Sequence, residues 1–73
     1  MTAKEQFRVG QRVQLTARGR ARVRQYEDMA YQPDVYGTVV GFARDFYPEL
    51  VAVRREGRQT RQTYHMDCWE PVP

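Results

Sequence analysis

Seventy-three residues with 29% charged and 41% hydrophobic side chains specify one small domain, 1–73, with a thin core; a chain this size buries only about 60% of the surface that its unfolded form exposes. One cysteine, Cys68, and one histidine, His65, exclude an intrachain disulfide and fall short of the four ligands of a structural zinc site, so neither metal nor cofactor is expected. No apolar run approaches the ~20 residues of a membrane span, and the opening MTAKEQFRVG holds none of signal-peptide length; the expectation is a soluble cytoplasmic protein without a membrane partner.

The net charge of +3 conceals an uneven layout. Residues 1–24 hold seven basic side chains against one acidic, net +6. Residues 25–53 hold one against five, net −4, and residues 54–73 hold four against three, net +1. Eleven of the twelve basic residues are arginine, whose planar guanidinium suits bidentate contact with phosphate or carboxylate. A basic surface patch is therefore available to the fold.

The first predicted element is a strand in FRVGQRVQLT, where Val13 and Leu15 alternate with Arg12, Gln14 and Thr16 and Gly10 supplies a turn just before. ARGRARVRQYEDMAYQPDV is ambiguous. Arginines 18, 20, 22 and 24 would share one face of a strand, yet Gly19, Val23, Tyr26 and Ala30 recur at helical spacing. Thr16 is placed to cap a helix and Pro33 to stop one. Because Gly19 costs about 1 kcal/mol in a helix interior, the expectation is a short helix or helical turn followed by a loop.

YGTVVGFA reads as a second strand, with Gly37 and Gly41 marking bends or close backbone approach. RDFYPE is a turn. LVAVRR is a third strand with Val51 and Val53 inward, and Gly57 of Glu56-Gly57 supplies positive φ to a hairpin turn. Arg55 shares the valines' parity, but its place at the turn lets its side chain reach solvent. TRQTYH returns as the fourth strand. MDCWEPVP opens with a single helical turn and ends in a short strand that Pro71 confines to an edge. Short strands at close spacing predict an all-β barrel of about five strands with a long first connection. Its inward set is Val13, Leu15, Val39, Val51, Val53, Tyr64 and Trp69, with Phe42 covering an end.

FRVGQRVQLT, GTVVGF, VAVRREG and TYHMDCWEP together resemble the SH3-like small barrels that include the KOW-type domains, and the ending resembles short phage- and prophage-encoded proteins of this barrel type. The resemblance covers residues 7–15 and 36–71 and leaves Ala17–Val35 outside. It implies an SH3-like barrel and, from the habits of KOW-type domains, a partner that is RNA or a protein associated with RNA polymerase. A fold hosts many functions, so function must rest on the residues of the site.

Two arginine groups are candidate nucleic-acid contacts. RGRARVR offers Arg18, Arg20, Arg22 and Arg24, spaced by small residues along which a phosphate backbone could run. Arg58 and Arg61 flank the return strand of the hairpin. The plain alternative in both cases is a solvated basic face, neutralised by Glu27, Asp28 and Asp34 or guarding a strand edge. Tyr26, Tyr31, Tyr36, Phe46 and Tyr47 are available as stacking platforms. Tyr31 and Tyr36 also suit a protein interface or a homo-oligomer contact. The run Tyr64-His65-Met66-Asp67-Cys68-Trp69 holds a Cys–His pair, but adjacent positions in one turn rarely aim at a common point, and so small a domain encloses no substrate. The expected reading is non-enzymatic, with no small-molecule substrate. His65 and Asp67 fix the last turn by hydrogen bonds, Cys68 packs as a small apolar residue, and Trp69 plugs the barrel end.

Overall fold

In a computed structural model, which describes residues 2–26, 36–44 and 46–73, and only the backbone at 24–26, five antiparallel strands form one sheet. They are β1 (Arg12–Leu15), β2 (Tyr36–Phe42), β3 (Leu50–Arg55), β4 (Gln62–His65) and β5 (Trp69–Pro71). The order β4-β3-β2-β1-β5 makes the second to fourth strands a meander and returns β5 to pair with β1. β5 is therefore an edge strand, and Pro71, which has no N–H to donate, sits there as the sequence predicts. A single 3-10 turn, Met66–Cys68, links β4 to β5.

Inward alternation builds the all-β, barrel-like core. Val13, Leu15, Val39, Val51, Val53, Cys68 and Trp69 are buried, while Phe42, Tyr64 and Met66 pack partly buried against them. Tyr64 meets Trp69 edge to face, with ring centroids 5.4 Å apart. The register of β2 against β3 shifts at a bulge between Val39 and Gly41, a device that bends a strand and increases its local twist. At Gly37 an added Cβ would lie 2.6 Å from Val53 and 3.0 Å from the carbonyl oxygen of Arg54, so β2 and β3 pack there without room for a side chain.

One element goes beyond what the residue pattern predicts, and a second is the short helix expected in the first connection. Helix α1 (Ala3–Gln6) precedes β1, and it brings Ala3 and Phe7 into the core. Its entry is fixed by a bond from the Thr2 N–H to the Glu5 carboxylate, 3.3 Å, and by the Ala3 N–H on the Pro48 carbonyl, 2.7 Å. The T-x-x-E spacing is a capping signal that was present in the sequence. Helix α2 (Ala17–Tyr26) runs ten residues, straight through Gly19. The propensity cost of that glycine is outweighed by tertiary packing: an added Cβ would fall 2.2 Å from the Cys68 carbonyl oxygen and 2.9 Å from Leu15. Only glycine lets the helix approach the turn so closely. Thr16 caps it, its hydroxyl accepting from the Gly19 N–H at 3.1 Å and donating to the Asp67 carbonyl at 2.7 Å. Val23, one turn beyond Gly19, is buried beside it.

A correction concerns Arg55. Its side chain is 2% exposed, not carried to solvent by the turn. Strand β3 continues through Arg55, so the inward parity of Val51 and Val53 holds to its last residue.

Candidate functional site

Residues that alternate with the core positions face outward, and three of them align across the sheet. Arg12 of β1 pairs with Thr38 of β2, and Thr38 pairs with Arg54 of β3. Two strand spacings of 4.7–4.9 Å put the Arg12 and Arg54 backbones about 10 Å apart. The tight turn after β3, with Gly57 at φ +83°, reverses the chain and lays Arg58 beside this row; the Arg58 N–H donates to the Arg55 carbonyl at 3.0 Å. A shallow groove of about 280 Å³ results, lined by Arg12, Thr38, Arg54, Glu56, Arg58 and Gln59 among others.

Arg12 is held from two sides. Its guanidinium is 3.0 Å from the Glu56 carboxylate, and its central carbon lies 5.3 Å from the Tyr36 ring centroid, within cation–π range. Tyr36 is 38% exposed and occupies the outer face two residues before Thr38. Among the described residues, Arg54 forms no ion pair. Arg61 approaches the same face further along β2: an added Cβ on Gly41 would be 3.4 Å from its Nη1.

The structure disperses the arginine run of α2. At 100° per residue, Arg18 and Arg22 lie on one flank of the buried Gly19–Val23 stripe, and Arg20 lies on the opposite flank. Arg18, Arg20 and Arg22 are all exposed. Arg18 is committed to Asp67, with Nη1 to Oδ2 at 3.0 Å. Arg22 lines a separate groove of about 380 Å³ between α2 and β4, with Val23, Leu50, Arg55, Tyr64 and His65. The side chains of Arg24 and Tyr26, and the whole of Tyr31, Glu27, Asp28 and Asp34, lie outside the described residues. Of the sequence-predicted contacts, Arg58, Arg61 and Tyr36 come to the outer sheet face, and Arg18, Arg20 and Arg22 do not.

No family model matches the chain, and neither does any curated protein or any solved structure. The chain's own geometry is what assigns its surfaces.

Arg12 and Arg54 are the functional candidates that the sequence reading passed over. Forty-two positions separate them, and only the register of β1, β2 and β3 brings them together. The one available signal was parity: both alternate with core valines.

The His65-to-Trp69 segment is a structural knot. His65 Nδ1 accepts from the Asp67 N–H at 3.1 Å and so caps the 3-10 turn. Asp67 Oδ2 lies 3.5 Å from that same nitrogen. Cys68 is buried, and burial pushes its thiol pKa up, opposed by the nearby Arg22 and Arg18 charges and reinforced by Asp67. A thiol held protonated is a poor nucleophile. Among the described residues, no group of three or more His, Cys, Asp or Glu side chains is placed to hold a metal ion, and no helix is long and apolar enough to cross a membrane.

Proposed function

We propose that this protein is a non-enzymatic, SH3-like binding module of KOW type that contacts nucleic acid through the outer face of β1–β3. The observation that carries the reading is the cross-strand row Arg12–Thr38–Arg54 with Arg58 at its rim, a concentration of guanidinium groups around a groove with Glu56 as its carboxylate. Phosphate-bearing polymers are the partners such a surface favours, because each neutralised phosphate releases condensed counterions. The SH3-like reading is supported by where its motif residues fall: F-x-V-G-x-x-V enters β1, G-x-V lies in β2, and V-x-V-x-x-E-G runs from β3 into the Gly57 turn. A cytoplasmic, phage- or prophage-type protein fits that likeness.

The test is fluorescence anisotropy with short labelled DNA and RNA across a salt series. Four contacts, from Arg12, Arg54, Arg58 and Arg61, give a slope of log affinity against log salt of about −3 to −4. Absence of binding at about 50 mM salt, or binding that salt leaves unchanged, removes the proposal.

A protein-interaction or assembly module is the second reading. Phe46 and Tyr47, adjacent on the β2–β3 connection, are 89% and 55% exposed, and neighbouring exposed aromatics are the usual anchors of interfaces. Light scattering coupled to size exclusion tests its homo-oligomer form. Association that Phe46→Ser abolishes, in a protein that binds no oligonucleotide, decides for this reading.

A further inference from the structure

Resting on the nucleic-acid reading, we infer that the ligand of the β1–β3 face is single-stranded, with one nucleobase stacked on the Tyr36–Arg12 pair while the adjoining phosphates meet Arg54 and Arg58. Among the described residues, Tyr36 is an aromatic that shares the outer face with the arginine row. Its ring and the Arg12 guanidinium are two flat groups within cation–π range, 5.3 Å from guanidinium carbon to ring centroid, and each accepts a base face. Tyr36 and Thr38 are two residues apart on one strand, so their side chains stand about 7 Å apart on the same face. A base at Tyr36 therefore places its backbone within reach of Thr38 and the guanidinium of Arg54 beyond it.

Duplex fits poorly. Paired bases present their faces to one another, which leaves a tyrosine platform nothing to stack on. The element suited to a major groove, α2, spends its Gly19–Val23 stripe against the barrel and its Arg18 on Asp67. Glu56 sets the sign of local competition: it must share Arg12 with any incoming phosphate.

The experiment compares a fluorescein-labelled twelve-nucleotide oligouridine and oligothymidine with a twelve-base-pair duplex, using the full chain at about 50 mM salt. The single strands are expected to bind at least about tenfold tighter than the duplex. Tyr36→Ala is expected to weaken single-strand binding by roughly 5- to 150-fold, the span that one lost base stack gives, with the salt slope unchanged. Tyr36→Phe retains binding. Amide shifts at Tyr36, Thr38 and Arg54 in a nuclear magnetic resonance titration provide a second readout that does not depend on a variant folding. Equal or tighter duplex binding overturns the inference, as does an unaffected Tyr36→Ala protein, and in both cases nucleic-acid binding itself stands. If no oligonucleotide binds, both readings fall together.

Discussion

Two arginine groups in this molecule make opposite use of sequence proximity. The run at 18, 20 and 22 is tight in sequence, but the helical turn of α2 sends its members to different flanks, and one is tied to Asp67. Arg12, Arg54 and Arg58 are scattered along the chain, yet strand register and one hairpin gather them around a single groove. Density of charge along a chain is thus a poor guide to density of charge on a surface. The period of the secondary structure decides between them: 3.6 residues per turn splits an alternating run, and a period of two aligns it.

The comparison depends first on α2 being seated where Gly19 allows. Gly19→Ala improves helix propensity by about 1 kcal/mol, yet it drives a methyl to 2.2 Å from a backbone oxygen. Overpacking of that kind costs about 1–3 kcal/mol or more, and a fall in Tm of roughly 5 °C or greater is expected by calorimetry. A raised Tm would mean that the helix does not sit on the Cys68 turn.

Charge reversal in the two groups sets them directly against each other. Arg54→Glu is expected to lower oligonucleotide affinity at least about tenfold at low salt, and Arg20→Glu no more than about threefold, since long-range attraction alone is lost there. The reverse ranking makes the helix the interface. Glu56→Gln sharpens the same point in the other direction. Freed of its carboxylate partner, Arg12 should bind phosphate about two- to fivefold more tightly, and the gain should shrink as salt rises.

A smaller effect concerns pH at the helix seat. Cys68 ionises in the unfolded chain near its ordinary value of 9.0 and at higher pH when folded. Its contribution to stability is therefore intact below about 9 and lost as pH rises through the folded value. Denaturant titrations should show that part of the alkaline loss disappear in Cys68→Ala. The smallest effect is expected from Arg18→Ala. The Arg18–Asp67 pair is 73% and 44% exposed, and such pairs contribute about 0–1 kcal/mol, so a Tm change beyond a few degrees would contradict its surface character.

Much of the fold was legible because strands announce themselves by parity. Val13 and Leu15, Val51 and Val53, and Gly57 at the turn have local causes, and the structure places them as their pattern implies. Helix α1 was less visible: four residues carry too little periodicity, although Thr2 and Glu5 marked its start. The short helix through Gly19 was legible as a stripe, but the reason for a glycine there was not: propensity is a property of the isolated helix, whereas its value here lies in a contact with Cys68, forty-nine positions away. Arg55 misled for a related reason. A turn residue is ordinarily free to leave, but the last residue of a strand still obeys the pleat.

By itself the sequence determined an all-β chain with a thin valine core, a tryptophan near its end, and an arginine surplus toward its start. Alternation and turn chemistry act over a few residues and need no knowledge of distant partners. Tertiary structure alone decided which guanidinium groups share a face, because register between strands couples positions such as 12, 38 and 54 through backbone hydrogen bonds that no local pattern encodes.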